Sequence, residues 1–573
     1  MKDFLNTIPK HIWILAILIL VGIFFRVYHF DEWLQFKGDA FRDATMISNV
    51  YREGIESLPL LGPRAGGTML RLGPVFYDFQ STSAFIFQSV SAPVLAYPDL
   101  FFSILALPLF FLFSRRYFSP LWSLAMAGML ATSFLAIEYG RFAWNPNSTL
   151  FFTLVFSYAL LKLYDTESER KRPLWWAFVA GISLAIASQL HFSAFLGLPL
   201  ALALFVLLHL KDAKKVLSYK VILVFLVSVG LVYLPVFLSE YFKHGENTRL
   251  FLSAISSKAS SHGIFQNIFQ DMMMFAKYFV RILLGIVEPG NKLLFLSGIF
   301  CGTGFLANIL LLHGEDNKGK RNFLQWTIIL MTVYFLLYIP LAFKIDRPRF
   351  SLPFMMMPYI YFGYILVFLQ KNTLYPRLVT ILTLFGLGII LYSNVYATMK
   401  WFTELHNSQQ TITSTGEKNS KGKSFWLTWG HFERAAEAMD RSCERPNTIY
   451  FSMEKRVAEY DHSIEYALLQ RKFQWNITKK DTMNTDEKEG CYYFISFPHD
   501  TMPEFIAHEK QDSPIDAGNL WVIQLYLEGT AKEKFLDHKV TVERTIEESV
   551  FEPEKITRYS RVYWGDIWYK MSR

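Results

Sequence analysis

The sequence predicts a polytopic α-helical membrane protein with about 11 transmembrane helices, outer juxtamembrane helices and a C-terminal soluble α/β domain. Of its 573 residues, 52% are hydrophobic and only 18% are charged, and the mean hydropathy is +0.23. Soluble globular enzymes rarely combine so many apolar residues with so few charged ones. The apolar residues are concentrated in separate runs within residues 1–400, which we expect to be the membrane domain.

The first apolar run, Ile12 to Phe25, follows Lys2 and Lys10 and has the form of a secretory signal peptide. No small-residue cleavage site follows it and many spans come later, so we expect a retained helix that enters from the cytoplasm. Several of the runs are shorter than the ~20 residues of a bilayer crossing, so their ends are approximate. The later runs are Leu100–Phe113, Pro120–Phe134, Leu150–Leu163, Leu174–Leu190, Phe195–Leu210, Val221–Leu238, Leu293–Leu312, Phe323–Phe343, Pro353–Leu369 and Leu378–Tyr396.

Basic residues between the runs predict the orientation. Alternate loops carry most of them, and basic loops remain in the cytoplasm. The net charge of +8 therefore orients the protein and does not indicate a nucleic-acid partner. The other loops and the C-terminal domain are expected on the outer side of the membrane. The basic loops contain Arg115 and Arg116; Lys162, Arg170, Lys171 and Arg172; Lys211, Lys214, Lys215 and Lys220; Lys318, Lys320 and Arg321; and Lys371 and Arg377.

Two further segments are apolar but begin and end on the predicted outer side. Val75 to Tyr97 is rich in aromatic residues, which favour the headgroup boundary, and we expect it to lie along the membrane surface. Asp271 to Ile286, within the long loop Ser239 to Lys292, has the same character. An additional tilted span is the alternative for this second segment.

The first outer loop contains the candidate catalytic residues, in the sequence FKGDAFRDA. A helix that begins near Gly38 places Asp39 and Asp43 one turn apart on one face, with Arg42 able to hold a carboxylate ionised or to contact the substrate. This is the arrangement of a base and its orienting partner. The same pattern also fits a solvated helix start that is capped by Gly38 and Asp39.

Other polar residues cluster at the outer helix ends. Arginine here is either a phosphate ligand or a lipid-headgroup anchor, a lone histidine is often a helix-end hydrogen-bonding group, and the Glu240 and His244 pair also fits a local salt bridge. Three basic residues within KIDRPRFSLP have a density suited to phosphate. The candidates are Arg141, His191, Glu240, His244, Lys344, Arg347 and Arg349.

After residue 400 the composition becomes that of a soluble protein. We assign 401–424 as a linker and 425–573 as an α/β domain large enough to bury its own core. Helices are predicted at His431–Ser442 and Val457–Lys472, and strands at Thr448–Ser452, Cys491–Phe497, Leu520–Leu527 and Val562–Tyr569. Cys443 and Cys491 lie in this domain, where an oxidising compartment permits a disulfide and two buried thiols are the alternative.

The order of these motifs resembles a known family. One N-terminal span, FKGDAFRDA, RLGPVFYDF, GRFAWNPNS, QLHFSA, YFKHGENT, DRPRFSLP and a C-terminal outer domain are similar to the bacterial GT-C glycosyltransferases of family 39. These are relatives of the protein O-mannosyltransferases and of the aminoarabinose transferase that modifies lipid A. The resemblance covers residues 1 to about 400, a transmembrane GT-C catalytic domain, and does not extend to the C-terminal domain.

The resemblance implies an inverting transfer of a hexose or pentose from a polyprenyl-phosphate donor to a lipid, glycan or protein acceptor. It places the base at Asp39, with Asp43 as a second candidate, although Ala40 stands where the family has a second acidic residue. Arg71 stands where the family has a phosphate-binding lysine, and Arg347 and Arg349 match basic residues before a late span. No cofactor is required by this scheme, and a divalent metal is not excluded.

A non-catalytic alternative is a flippase or transporter of polyprenyl-linked glycans. In that case the arginines would bind headgroups and the carboxylates would couple to protons. Transporters usually place ionisable groups at mid-membrane or carry paired repeats. Here the charges cluster at the outer helix ends, which favours the enzyme.

Overall fold

A computed structural model describes the protein at residues 9–36, 38–65, 68–165, 172–258, 260–410, 427–443, 448–454, 457, 460–471, 490–498, 502–537 and 561–571. Helices dominate the part before residue 411. They are α1 (Lys10–Val27), α2 (Asp39–Glu53), α3 (Val75–Phe87), α4 (Ala92–Ser114), α5 (Pro120–Thr132), α6 (Phe134–Tyr139), α7 (Thr149–Leu163), α8 (Pro173–Leu190), α9 (Phe192–Leu208), α10 (Leu210–Val216), α11 (Tyr219–Phe242), α12 (Glu246–Lys258), α13 (Ile264–Leu284), α14 (Asn291–His313), α15 (Lys318–Tyr338), α16 (Met357–Asn372) and α17 (Pro376–Gln410).

Each of the apolar runs predicted to cross the membrane is helical. Among the described residues, seven helices are long and apolar enough to span a bilayer, and the bent pair Pro348–Phe354 and α16 makes up to eight. The runs that form α5, α7 and α9 are apolar but shorter. The structure therefore has seven or eight full-length candidate spans and three shorter apolar helices at the eleven predicted positions.

Most of the two predicted surface segments lies in α3 and α13, and neither helix is among the candidate spans. The end of the first segment is wrong, because Ala92–Tyr97 begins α4, which is a candidate span. Helix α13 is amphipathic, with a buried stripe that includes Met274, Phe275 and Tyr278. Such a one-sided apolar face is typical of a helix that packs on a protein or membrane surface.

Helix α17 continues through Gln410, so the first ten residues of the predicted linker, 401–410, are helical. The extension is stabilised because Trp401, Phe402 and Leu405 are buried in a cluster with Phe25 and Trp33. The remainder of the predicted linker, 411–424, lies outside the described residues.

The C-terminal region contains a five-stranded mixed sheet. Strand β1 (Thr448–Met453) pairs in parallel with β2 (Gly490–Ser496), β2 pairs antiparallel with β5 (Trp521–Tyr526), and β3 (Lys510–Gln511) and β4 (Ile515–Asp516) both pair with β5. The helices α18 (Trp429–Ser442), α19 (Asp461–Arg471), α20 (Glu504–Ala507), α21 (Gly529–Asp537) and α22 (Trp564–Met571) accompany it. Cys443, after α18, is bonded to Cys491 on β2 with a Cα separation of 5.8 Å, so the predicted disulfide is confirmed.

The predicted strand Val562–Tyr569 is wrong from Trp564 onward, where the chain forms α22, whereas Tyr563 forms an antiparallel bridge with Pro59. Aromatic and β-branched residues favour a strand here, but Trp564 and Ile567 are spaced for one helical face and pack in a small cluster around Leu60. Asp566 Oδ2 also accepts the backbone N–H of Tyr563 at 2.9 Å, as the acidic residue of a capping box does.

The C-terminal region packs directly against the segment that precedes α2. The backbone N–H of Trp429 donates to Leu34 O at 2.8 Å, and Ser463 Oγ donates to Phe36 O at 2.9 Å. The ring of His462 stacks on Phe41 with 4.4 Å between centroids. These contacts fix the position at which α2 begins.

Candidate functional site

The first turn of α2 brings two carboxylates to one guanidinium. Arg42 Nη1 lies 3.0 Å from Asp39 Oδ1, and Arg42 Nη2 lies 2.8 Å from Asp43 Oδ1. The hydroxyl of Tyr77, on α3, donates to the same Oδ1 of Asp43 at 2.8 Å. Gly38 precedes the helix with φ +50°, a left-handed conformation that glycine adopts most easily.

The two carboxylates differ in access. The side chain of Asp39 is 54% exposed, whereas that of Asp43 is 1% exposed. Burial raises the pKa of Asp43, and Arg42 and Tyr77 oppose this rise. A substrate can therefore reach Asp39, whereas the buried carboxylate of Asp43 pairs with Arg42 inside the protein. The structure thus does not favour Asp43 as a second base, because its carboxylate is enclosed by protein.

Arg349 approaches the same region from the segment before α16. Its Cζ lies 5.2 Å from the ring centre of Trp144 and 5.4 Å from that of Phe350, and its charge interacts with that of Asp39. Arg347, two residues earlier, is exposed. Arg349 is therefore close enough to Asp39 for their charges to interact, and Arg347 is accessible to an anion.

An ion-pair cluster on α13 holds the segment that carries these arginines. Asp346 lies 3.1 Å from Lys277 Nζ and 3.6 Å from Arg281 Nη1. The Tyr278 hydroxyl donates to the carbonyl of Ile345. Helix α13 therefore fixes the backbone at Ile345 and Asp346. Arg347 and Arg349 lie between these residues and α16.

Arg141 has a different role from the predicted ligand. It is 2% exposed, and its guanidinium donates to the carbonyl oxygens of Phe25 (3.1 Å), Arg26 (2.9 Å) and His29 (3.3 Å). Carbonyls at a helix end have no partner within the helix, so Arg141 satisfies the end of α1. The burial needed for this task removes it from a substrate.

His191 also serves a helix end. It is the residue before α9, and its Nδ1 lies 2.6 Å from Ser193 Oγ. Burial lowers its pKa to about 3, so the imidazole is neutral at physiological pH. Its ring packs on Phe350 at 5.3 Å, which places it beside the arginine segment as a packing partner.

Glu240 and His244 form the corner between α11 and α12. The Glu240 carboxylate accepts the backbone N–H groups of Asn247 and Thr248, each at 3.1 Å, and the Thr248 hydroxyl at 2.6 Å. It therefore caps α12 and is not directed at His244. The carbonyl of His244 accepts Arg249 Nη2 at 2.9 Å, which completes a local turn.

Arg71 lines an open pocket with a cavity volume of about 50 Å³. Asn247 fixes its backbone, since Arg71 N–H donates to Asn247 Oδ1 at 2.9 Å and Arg71 O accepts Asn247 Nδ2 at 3.0 Å. The lining is strongly basic. It consists of Leu61, Arg64, Met69, Arg71, Ser239, Glu240, Lys243, Glu246, Asn247, Leu250, Arg561 and Val562.

Comparison with solved structures identifies this arrangement of helices. The ArnT structure from Cupriavidus metallidurans bound to undecaprenyl phosphate aligns with 90% of this chain and 97% of its own, with a TM-score of 0.51 and 11% identity. The apo ArnT structure aligns over the same shares, with a TM-score of 0.50 and 11% identity. The chain has the GT-C fold.

The GT-C resemblance predicted from the sequence is thereby confirmed, and residues 13–246 match the family model of dolichyl-phosphate-mannose-protein mannosyltransferases. The Archaeoglobus fulgidus oligosaccharyltransferase aligns with a TM-score of 0.48 and 15% identity over 80% of this chain, which spans 64% of that protein. No curated protein matches the sequence.

Two functional candidates in this GT-C protein were missed from the sequence. Tyr77 lies in the quoted RLGPVFYDF motif, but its aromatic character was assigned to the membrane surface, and its bond to Asp43 depends on the packing of α3 against α2. Arg561 lies in the C-terminal segment and donates Nη2 to the Tyr77 hydroxyl at 3.4 Å. No local sequence pattern predicts a contact between two residues that are 484 positions apart.

The described residues contain no group of three or more His, Cys, Asp or Glu side chains placed to hold a metal ion. The charged groups near Asp39 are instead arginines. These can bind phosphate directly through their planar forks of N–H donors.

Proposed function

We propose that the protein is an inverting glycosyltransferase that moves a sugar from a polyprenyl-phosphate donor to an acceptor on the outer face of the cytoplasmic membrane. The observation that supports this most is the contrast between Asp39, half-exposed and paired with Arg42, and Asp43, buried below the same guanidinium. One accessible carboxylate with a fixed orienting partner is what a general base requires.

In the proposed reaction, the oxygen or nitrogen of an acceptor hydroxyl or amine attacks the anomeric carbon. Asp39 takes the proton that this acceptor group loses. The new glycosidic bond forms on the face opposite the leaving group, and the bond from the anomeric carbon to the phosphate oxygen breaks. The electron pair of that bond leaves with the polyprenyl phosphate. Arg42 orients Asp39, and Asp43 and Tyr77 orient Arg42.

The departing phosphate needs positive charge. Arg349 and Arg347 near Asp39, and Arg71 in the basic pocket, are the proposed donors, and one well-placed donor contributes about 2–4 kcal/mol by analogy with oxyanion stabilisation. The solved ArnT neighbour with undecaprenyl phosphate and the dolichyl-phosphate-mannose family model support a lipid phosphate of this class. The sugar, hexose or pentose, and the acceptor, lipid, glycan or protein, are left open.

Substitution Asp39→Asn tests the proposal. Asn keeps the shape and caps a helix about as well as Asp, so a structural role predicts normal activity, whereas loss of a general base predicts at least a ~10²-fold drop in transfer. The assay is sugar transfer from polyprenyl phosphate by purified protein in detergent, alongside donor binding, which should be unchanged. Glu53→Gln, at the exposed opposite end of α2, is the matched control.

Full activity in Asp39→Asn would remove the base from this residue. A wild-type protein that transfers no sugar but moves the lipid-linked glycan across a vesicle bilayer would support the flippase instead. Orientation is tested separately with a reporter that functions only outside the cytoplasm, which should give signal when fused at Gly416 and none at Lys318. The reverse result would place Asp39 on the wrong side.

A further inference from the structure

The C-terminal segment is attached to the first outer loop by a single antiparallel β-bridge. Leu60 N–H donates to Val562 O at 2.8 Å, and Trp564 N–H donates to Leu58 O at 3.1 Å. Pro59 and Tyr563 form an antiparallel bridge between these two hydrogen bonds. Backbone pairing of this kind fixes the register of the added segment to within one residue, so the direction of the neighbouring side chains is also fixed.

Apolar packing supports the same attachment. Leu60, Val562 and Ile567 form a buried cluster, and Leu238 and Phe242 at the end of α11 pack against it. The C-terminal segment therefore contacts both the first outer loop and the end of a candidate span. Arg561, directly before Val562, is held where these two parts of the membrane domain meet.

At this junction Arg561 lines the basic pocket that contains Arg71. Four lining residues are cationic and come from three parts of the chain: Arg64 and Arg71 from the first outer loop, Lys243 from the corner after α11, and Arg561. The lining also contains two glutamates, of which Glu240 is engaged in capping α12. The local charge therefore favours an anion.

Arg561 also contacts the carboxylate network. Its Nη2 donates to the Tyr77 hydroxyl at 3.4 Å, its Cζ lies 5.6 Å from the Tyr77 ring centre, and Tyr77 donates to Asp43. Tyr77 thus separates the buried carboxylate from the basic pocket. Tyr77 therefore connects Asp43, which orients Arg42, with Arg561, which lines the pocket.

We propose that Arg561 is a phosphate-binding residue of this pocket, so that the pocket is complete only when the C-terminal segment is docked. The ligand is a phosphate group, which a planar guanidinium binds through two parallel N–H donors. It is the headgroup of a lipid or a free phosphate ion. The identification of the lipid as a polyprenyl phosphate rests on the proposed function, but the anion chemistry does not.

The test uses the full-length protein in nanodiscs, with undecaprenyl phosphate as the probe and inorganic phosphate as a competitor. Arg561→Gln should weaken lipid binding about tenfold or more, as loss of a charge-assisted hydrogen-bonding pair predicts. Arg561→Lys, which keeps the charge but not the fork, should lie between this variant and the wild type. Arg441→Gln, a 77% exposed arginine on α18, is the matched control and should bind as the wild type does.

The source of the phosphate follows from the competitor. If inorganic phosphate displaces the lipid from the wild type and this competition weakens in Arg561→Gln, the phosphate group alone is recognised. If inorganic phosphate does not compete, but lipid binding still depends on Arg561, the ligand is the lipid headgroup. Both outcomes support the inference.

Wild-type affinity for the probe in a folded Arg561→Gln variant overturns the inference. If that variant has a lowered thermal midpoint, Arg561→Lys decides, and wild-type affinity in the folded lysine variant is then the overturning result. Failure of the proposed function looks different, because it is full sugar transfer by Asp39→Asn. If Asp39→Asn keeps full transfer but Arg561→Gln weakens phosphate binding, only the proposed function fails. If phosphate binding by Arg561→Gln is normal, only the inference about Arg561 fails.

Discussion

Arg141 lies in the loop formed by residues 140–148 and Arg349 contacts Trp144 of the same loop, but the protein holds the two side chains in different ways. Arg141 belongs to the loop and donates to backbone carbonyls at the end of α1. Arg349 comes from the segment before α16 and lies over the ring of Trp144. Within the part of the chain that the structure describes, the guanidinium of Arg349 makes no hydrogen bond.

Hydrogen bonding to the protein distinguishes an arginine with a structural role from one that is available to a ligand. Both arginines sit on predicted outer loops, and both were candidate phosphate ligands. Buried N–H donors are mostly matched inside the protein, and both terminal nitrogens of Arg141 already donate to backbone carbonyls. Stacking on an aromatic face holds a guanidinium without occupying its in-plane donors. Asp43 and Asp39 differ in the same manner on α2.

The largest effect is expected for Arg141→Met, which leaves the carbonyls at the end of α1 without their donor. His29 O still accepts the N–H of Trp33, so two carbonyls, those of Phe25 and Arg26, become unsatisfied. Each unsatisfied buried acceptor costs about 1–3 kcal/mol, so the variant should lose at least ~2 kcal/mol of stability. Arg349→Met should change stability little, as substitutions of partly exposed residues do. Thermal unfolding of both variants in one detergent measures the difference. A stable Arg141→Met protein with weakened donor binding would instead make Arg141 a ligand.

Asp43→Asn should reduce sugar transfer on the order of tenfold, less than the ~10²-fold loss expected for Asp39→Asn. The asparagine still accepts the Tyr77 hydroxyl but no longer fixes Arg42 by charge. Transfer rates of the two variants, measured side by side, decide the assignment. A larger loss at Asp43 than at Asp39 would move the base one turn along α2.

Arg347→Lys and Arg349→Lys should each weaken donor binding a few-fold, because the planar two-point contact is lost while the charge is kept. A headgroup anchor tolerates lysine. Donor affinity of each purified variant is the measurement. Unchanged affinity in both would return these arginines to the role of membrane anchors.

A pH-dependent effect concerns Asp78, next to Tyr77 on α3, whose pKa burial raises to about 7. The unfolded-state value is about 3.9, so folding favours the protonated form. Its contribution to stability is fully present below pH 4 and is lost as the pH rises through 7. The thermal midpoint of the wild type should therefore fall more between pH 5 and 8 than that of Asp78→Asn. Parallel slopes in the two proteins would contradict this.

The sequence by itself determined the helical membrane architecture, because an apolar run long enough for a bilayer is a local property that no tertiary contact needs to supply. It also placed Asp39, Arg42 and Asp43 on one helix face, since helical spacing alone brings residues three and four apart together. The disulfide was predicted because Cys443 and Cys491 lie in the same predicted outer domain. The form of Val562–Tyr569 was not, because its packing against Leu60 outweighed local strand propensity.

Only the tertiary structure decided which charged groups are available to a substrate. Burial distinguishes Asp39 from Asp43 and Arg349 from Arg141, and burial depends on neighbours that are distant in sequence, such as Phe402 beside Arg141. The link from Arg561 through Tyr77 to Asp43 likewise joins the two ends of the chain. Residue types predict the chemistry that a side chain can perform, but desolvation and hydrogen-bond saturation, set by the fold, determine whether it can perform it.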